Sequence, residues 1–137
     1  MYHQIIVVGN VGKDAEMRYT PSGQATTSFS VATNRKYTNG SGEQVSETTW
    51  FRVSIWGKMA EVCNTYVKKG MKVLVEGRLI ADKNTGGPKV WTKQDGSSAS
   101  SFEVLAQNVR FLSSTEHQTE SQAETSDGLP PEDDIPF

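Results

Sequence analysis

Residue types suited to covalent or acid–base chemistry are scarce in this 137-residue chain, which holds one cysteine, Cys63, and two histidines, His3 and His117. With one histidine at the N-terminus and the other near the C-terminus, no Ser-His or Cys-His nucleophile pair can be assembled. Cys63 with two remote histidines is no metal-ligand set. The glycine-rich segments lack the GxxxxGK[ST] pattern of a phosphate-binding loop. Carboxylates cluster only towards the C-terminus, in a stretch without periodicity that offers no fixed geometry for proton transfer. The reading is of a protein that is not an enzyme and uses no metal or cofactor. What remains is the chemistry of flat aromatic rings beside fixed positive charges.

That chemistry is densest in Trp-Phe-Arg-Val-Ser-Ile-Trp-Gly at residues 50–57. The stretch alternates with period two, and a β-strand sends successive side chains to opposite faces. Phe51, Val53 and Ile55 therefore make a core face, while Trp50, Arg52, Ser54 and Trp56 share the other. Exposed large aromatics usually meet a partner, and an indole beside a guanidinium suits an unpaired base and its phosphate. A second packing surface, against another sheet or another subunit, is equally consistent with this stretch alone. Two further places interleave cations with an aromatic: Arg35-Lys36-Tyr37, and Lys89 to Lys93 around Trp91.

The elements that must position these residues follow from the same patterning. Residues 3–9 read as a buried strand with Ile5, Ile6, Val7 and Val8 apolar on both faces, and Pro21-Ser22-Gly23 reads as a turn. A second strand is expected from Thr26 to Thr33, with Phe29 and Val31 on one face and Ser28, Ser30 and Ala32 on the other. Asn39-Gly40-Ser41-Gly42 is a hairpin signal that places Arg35 to Tyr37 at the hairpin tip and returns the chain as a third strand from Val45 to Trp56. The period then changes. Met59, Val62, Cys63, Tyr66 and Val67 form one stripe of an amphipathic helix, with Lys68 and Lys69 expected in its last turn and Gly70 as its cap. Cys63 on that stripe reads as a small core residue. A fourth strand spans Lys72 to Ile80, with Val73, Val75 and Leu79 facing one way and Glu76 and Arg78 the other. Residues 82–101 are loop-rich around a short extended piece, Val90-Trp91-Thr92, and a fifth strand runs from Phe102 to Phe111.

Charge divides the chain. Residues 1–112 hold all 14 Lys and Arg against nine Asp and Glu, a net +5, whereas residues 113–137 hold seven acids and no Lys or Arg, a net −7. Residues 113–137 also lack periodicity and are rich in Ser, Thr, Gln and Glu, so a disordered acidic tail is expected there after a domain at 1–112. Its end carries Ile135 and Phe137 after an acidic run, which solubility alone does not explain. A lone cysteine allows no intrachain disulfide, no apolar run is long enough to span a membrane, and the N-terminus has no secretory or transit pattern. The expected compartment is the cytoplasm.

Five strands with one helix between the third and fourth outline an all-β OB-fold, a small Greek-key barrel whose strand 2–3 face and connecting loops bind nucleic acid. Here the chain resembles the bacterial single-stranded DNA-binding protein (SSB) family. The resemblance rests on Ile6-Val-Val-Gly-Asn-Val-Gly-Lys-Asp14, Thr49-Trp-Phe-Arg-Val53, Trp56-Gly-Lys-Met-Ala-Glu61, Tyr66-Val-Lys-Lys-Gly70 and Val75-Glu-Gly-Arg-Leu79, and on the terminal Asp133-Asp-Ile-Pro-Phe137. It implies base stacking on Tyr37, Trp50, Trp56 and Trp91, with phosphates met by Arg35, Lys36, Arg52, Lys72, Arg78, Lys89 and Lys93. It also implies a homotetramer that uses Ile5 to Val8 in subunit pairing. Asp133, Asp134, Ile135, Pro136 and Phe137 would dock replication and repair proteins, and the protein would coat single strands in the bacterial nucleoid. The segment from Asp82 to Val90 is longer than the family's usual, and the tail lacks the long Gly/Gln-rich linker common among its members. An RNA-binding OB protein, and a scaffold whose tryptophan face is a subunit interface, are the alternative readings.

Overall fold

Each strand expected from alternation forms, and within the barrel its apolar face turns inward. In the computed structural model, which describes residues 1–112, the elements are β1 (Ile5–Val11), β2 (Glu16–Tyr19), β3 (Ala25–Thr38), β4 (Gln44–Trp56), α1 (Lys58–Tyr66), β5 (Lys72–Ile80), β6 (Lys89–Thr92) and β7 (Ser98–Phe111). His117, the acidic tail and its tip lie outside the described residues.

Five strands make the barrel in the order β1-β5-β7-β4-β3, and β3 returns to β1 through Asn10↔Ala32 and Val11↔Val31. The β4–β7 contact is parallel and the other contacts are antiparallel. Inside, Val7, Phe29, Val31, Val53, Ile55, Val73, Val75 and Val104 are buried from alternate positions of their strands, as a closed sheet requires. This is the OB-fold barrel with its single helix after β4. Strand β2, which flanks β3, was not anticipated; the extended piece expected at Val90-Trp91-Thr92 forms β6, and its pairing with Ser98–Ser101 extends β7 four residues before Phe102.

Between Glu76↔Asn108 and Gly77↔Ala106 the register shifts, leaving Gln107 as an extra residue in β7. A bulge of this kind flips the alternation. The core positions of β7 accordingly pass from Val104 and Ala106 to Val109. Beyond the bulge β5 runs past the barrel rim, so Leu79, expected inside with Val73 and Val75, is exposed.

The helix enters through Gly57, whose φ of 70° lies in the left-handed region that only glycine adopts without strain. Its buried positions are Ala60 and Cys63, with Val67 buried just beyond its end. Cys63 and Val67 hold the expected stripe and Met59 packs partly buried against the core, but Ala60 is buried beside them and Tyr66 is exposed, its ring 6.1 Å from that of Phe111. A contact with β3 accounts for the burial of Ala60. Buried Thr27 donates its hydroxyl to the Ala60 carbonyl at 2.6 Å, a close approach that a small residue permits. Lys68 and Lys69 fall after the helix rather than in its last turn, which holds no basic residue. Gly70 does not cap α1; its N–H donates to the Val11 carbonyl at 2.8 Å and ties the chain back to β1.

Candidate nucleic-acid interface

Strand β4 carries the densest group of candidate residues on its outer face. In register with β3, Trp50 stands opposite Ala32, Arg52 opposite Ser30, Ser54 opposite Ser28 and Trp56 opposite Thr26. Small partners leave both indoles uncovered from that side, and Trp50 and Trp56 are 53% and 42% exposed. Beneath Trp50 lies Gly12, delivered by the chain after β1, whose N–H donates to the Ser30 carbonyl at 2.9 Å. A Cβ at Gly12 would stand 2.5 Å from Cζ3 of the indole, so only glycine lets the ring lie there. A groove of about 210 Å³ runs beside the ring, lined on its polar side by Lys13, Ser28, Ser30, Arg52, Ser100 and Ser101. The Ser101 hydroxyl oxygen is buried at its edge without a hydrogen-bond partner among the described residues. Lys13 donates to Glu16 at 3.0 Å, and that bond, then the lysine charge, holds the Glu16 carboxyl below its usual range, with Arg18 and Arg52 adding smaller pulls.

Past Trp50 the β3–β4 ribbon leaves the barrel, because β1 pairs with β3 only at residues 31–32 and β7 pairs with β4 only at residues 51–54. The projecting arm is two strands wide and both its faces are open. Arg35, Lys36 and Tyr37 lie within its paired strands, opposite Glu47, Ser46 and Val45, and not at the tip as expected. The turn itself spans 39–43, where the Asn39 side-chain oxygen accepts the N–H groups of Ser41 and Glu43 at 3.0 Å each. Strand alternation puts Lys36 on the face of Trp50, and Arg35 and Tyr37 on the opposite one. The Arg35 guanidinium sits 4.7 Å from the centroid of the Tyr37 ring.

The third aromatic station is a second arm. β6 pairs Lys89↔Ser101 and Trp91↔Ala99, so Lys89 and Trp91 share a face, and Trp91 is 43% exposed. Lys93 follows in the turn, its N–H donating to the Ser97 carbonyl at 2.8 Å. Lys89 lies 4.0 Å from Glu103, the residue opposite Arg52 on β7. The two remaining cations lie on β5, away from the tryptophans. Lys72 lies in one cross-strand row with Asn10, Ala32 and Trp50, three strands from the indole, and Arg78 lies in a row with Leu105 and Ser54. At about 4.8 Å per strand, Lys72 is some 14 Å from the Trp50 backbone as measured around the curved sheet.

The family model of the single-strand binding protein family matches residues 2–112. The chain belongs to that family. It is 40% identical over 114 residues to a single-stranded DNA-binding protein of Wolinella succinogenes, and 36% identical over 114 residues to one of Helicobacter hepaticus. Each match covers 83% of this chain but only 66% and 63% of the relative's own length. The fold is similar to a Plasmodium falciparum SSB solved in complex with ssDNA, with a TM-score of 0.66 at 22% identity over 82% of this chain and 97% of that one. A small single-stranded DNA-binding protein of Streptomyces coelicolor gives 0.64 at 22% identity over 80% and 93%.

In this single-strand binding family member, reading the sequence missed Lys13, Gly12 and the serines of the groove. The serines gave no signal, Ser28 and Ser30 being ordinary outer-face residues of a strand and Ser100 and Ser101 lying in the loop-rich stretch, whereas Gly12-Lys13 lies inside the Ile6–Asp14 motif, which assigned neither residue a role. His3 accepts the Leu79 N–H on Nε2 at 3.1 Å, which ties the N-terminus to β5. Cys63 is fully buried, and desolvation pushes its thiol up to about 11, so it carries no thiolate chemistry at neutral pH.

Proposed function

We propose that this protein binds single-stranded DNA, as its relatives' names state for them, that it does so with little sequence preference, and that it acts by binding rather than catalysis. One observation carries the reading: two half-exposed tryptophans flank an arginine on the outer face of a strand whose other face is buried. An unpaired base has a free π-face for an indole, and its phosphate has a guanidinium within reach. Base-on-aromatic stacking is worth about 1–3 kcal/mol, a range drawn from single-strand binding proteins themselves. Trp50, Trp56, Trp91 and Tyr37 are the proposed stacking residues. Arg52, Lys36, Lys89 and Lys93 are the proposed phosphate contacts nearest them, Arg35 joins at Tyr37, and Lys72 and Arg78 lie farther along the surface.

The assembled form we propose is a homotetramer. β1 pairs with β3 only at Asn10 and Val11, so Ile5 to Val8 leave a backbone edge open beside the exposed side chains of Ile6 and Val8. An open edge with apolar flanks suits pairing with a second copy. In the proposed cellular role the protein covers single strands during replication, recombination and repair, in the nucleoid of a bacterial cell. Asp133 to Phe137 would capture partner proteins, the acidic residues guiding approach and Ile135 and Phe137 entering an apolar pocket.

The test is tryptophan emission during titration with oligo-dT, oligo-U and duplex DNA over a range of salt. Strong quenching by oligo-dT, weak quenching by duplex, and affinity falling by about 0.7 log unit per phosphate contact per decade of salt are expected. Absence of quenching at low salt would make the tryptophan face a subunit interface, and tighter binding of oligo-U would make the ligand RNA.

A further inference from the structure

Glu47 stands between two groups that the proposed function sends to DNA. Its Oε1 accepts the Tyr37 hydroxyl at 3.0 Å, and its Oε2 lies 3.8 Å from Nη1 of Arg35. The three residues share one face of the arm, because Arg35 pairs directly with Glu47 and Tyr37 follows two positions on. Arg35 in turn lies over the Tyr37 ring at 4.7 Å from its centroid. A cation thus covers one face of the ring on which a base would stack, and a carboxylate holds that cation in place.

We propose that Glu47 is a positioning residue that keeps this station closed until a phosphate opens it. A phosphate drawing the guanidinium away from Glu47 uncovers the Tyr37 face and supplies Arg35 as its neighbour in the same step. A phosphate can take the planar guanidinium through two parallel hydrogen bonds, whereas the resting contact to Glu47, tied as that carboxylate is to the Tyr37 hydroxyl, is a single long one. Both side chains of the pair are mostly exposed, 73% for Arg35 and 50% for Glu47, so the latch is weak and yields to ligand. It also contributes to selection. A ligand that brings a base without a phosphate in register finds that face of the ring covered.

This inference rests on the single-strand binding proposed above, and one set of variants separates the two. Glu47→Gln keeps an acceptor for the Tyr37 hydroxyl but removes the charge that holds Arg35. We expect it to bind oligo-dT about threefold more tightly at low salt, the size an exposed ion pair allows, with an unchanged melting temperature. In an Arg35→Ala background the same substitution should change affinity hardly at all. An equal gain in both backgrounds would mean that Glu47 merely repels phosphates, and no gain in either would mean that it holds nothing; both results overturn the proposal. Failure of the parent protein to bind oligo-dT would instead overturn the proposed function.

Discussion

Gly12 shows how much at the residue scale depends on a side chain that is missing. The Trp50 indole rests where a Cβ would be, with ring carbons 2.5 and 2.8 Å from that position and the Ser30 hydroxyl at 3.0 Å. Gly12→Val must therefore tilt the indole off the strand. We expect the loss in oligo-dT affinity to approach that of Trp50→Ala, tenfold or more on a stacking energy of about 1–3 kcal/mol. Because both changes act through one ring, the double variant should bind no worse than Trp50→Ala alone, read by anisotropy of a labelled oligonucleotide. Additive losses would show that Gly12 matters for something other than seating the indole. The alternation that exposed Trp50, Arg52 and Trp56 was legible because their neighbours Val53 and Ile55 are fully buried, so period two carried the signal. The orientation of Tyr37 was not. It depends on the ribbon continuing paired to Thr38, and residues 34–38 have no buried neighbour to reveal their face.

At the scale of elements, the helix is pinned to the barrel by one buried hydrogen bond. Thr27 is the buried polar residue of the core, and its hydroxyl reaches the Ala60 carbonyl in the first turn of α1. Thr27→Val keeps the shape and removes the donor, leaving a carbonyl beneath the helix without that partner. A loss of about 1–2 kcal/mol in urea unfolding is expected, with oligo-dT affinity little changed because Trp56 and α1 are separated by Gly57. A variant as stable as the parent would place the helix's attachment in its apolar contacts alone. The existence and place of α1 were legible from the change of period after Gly57, as was the burial of Cys63 and Val67, but Ala60 was missed and Tyr66 wrongly included, since alanine carries too little apolar weight to compete with tyrosine in a sequence. β2 and the pairing partner of β6 escaped for related reasons. β2, Glu-Met-Arg-Tyr, has one partly buried residue and no alternation to detect. The partners of β6 on β7 are serines and an alanine, which read as loop.

For the whole molecule, the cationic surface and the exposed apolar edge lie on different strands. The cationic, aromatic surface centres on β3, β4 and the β6–β7 arm, while Ile6 and Val8 lie on β1, 60% and 48% exposed. Val8 stands directly opposite Leu74, so the apolar strip continues onto β5. Replacing Ile6 and Val8 together by Glu should lower the assembled mass measured by light scattering towards that of one chain. An unchanged mass would move the subunit interface elsewhere. The barrel itself has a seam of uneven strength. β3 and β4 are joined over thirteen residue pairs, yet the sheet is closed between β1 and β3 by two, Asn10↔Ala32 and Val11↔Val31. Trp50 lies in the row of Ala32, and Gly12 donates across the same gap to Ser30. The place where the barrel breathes most easily is therefore the place where a bound strand would lie, and a ligand there acts as a clasp. The Gly12 amide proton should exchange with solvent before those of the β3–β4 ladder, and slow sharply once oligo-dT is bound, so that occupancy of the surface is felt as rigidity of the fold beneath it.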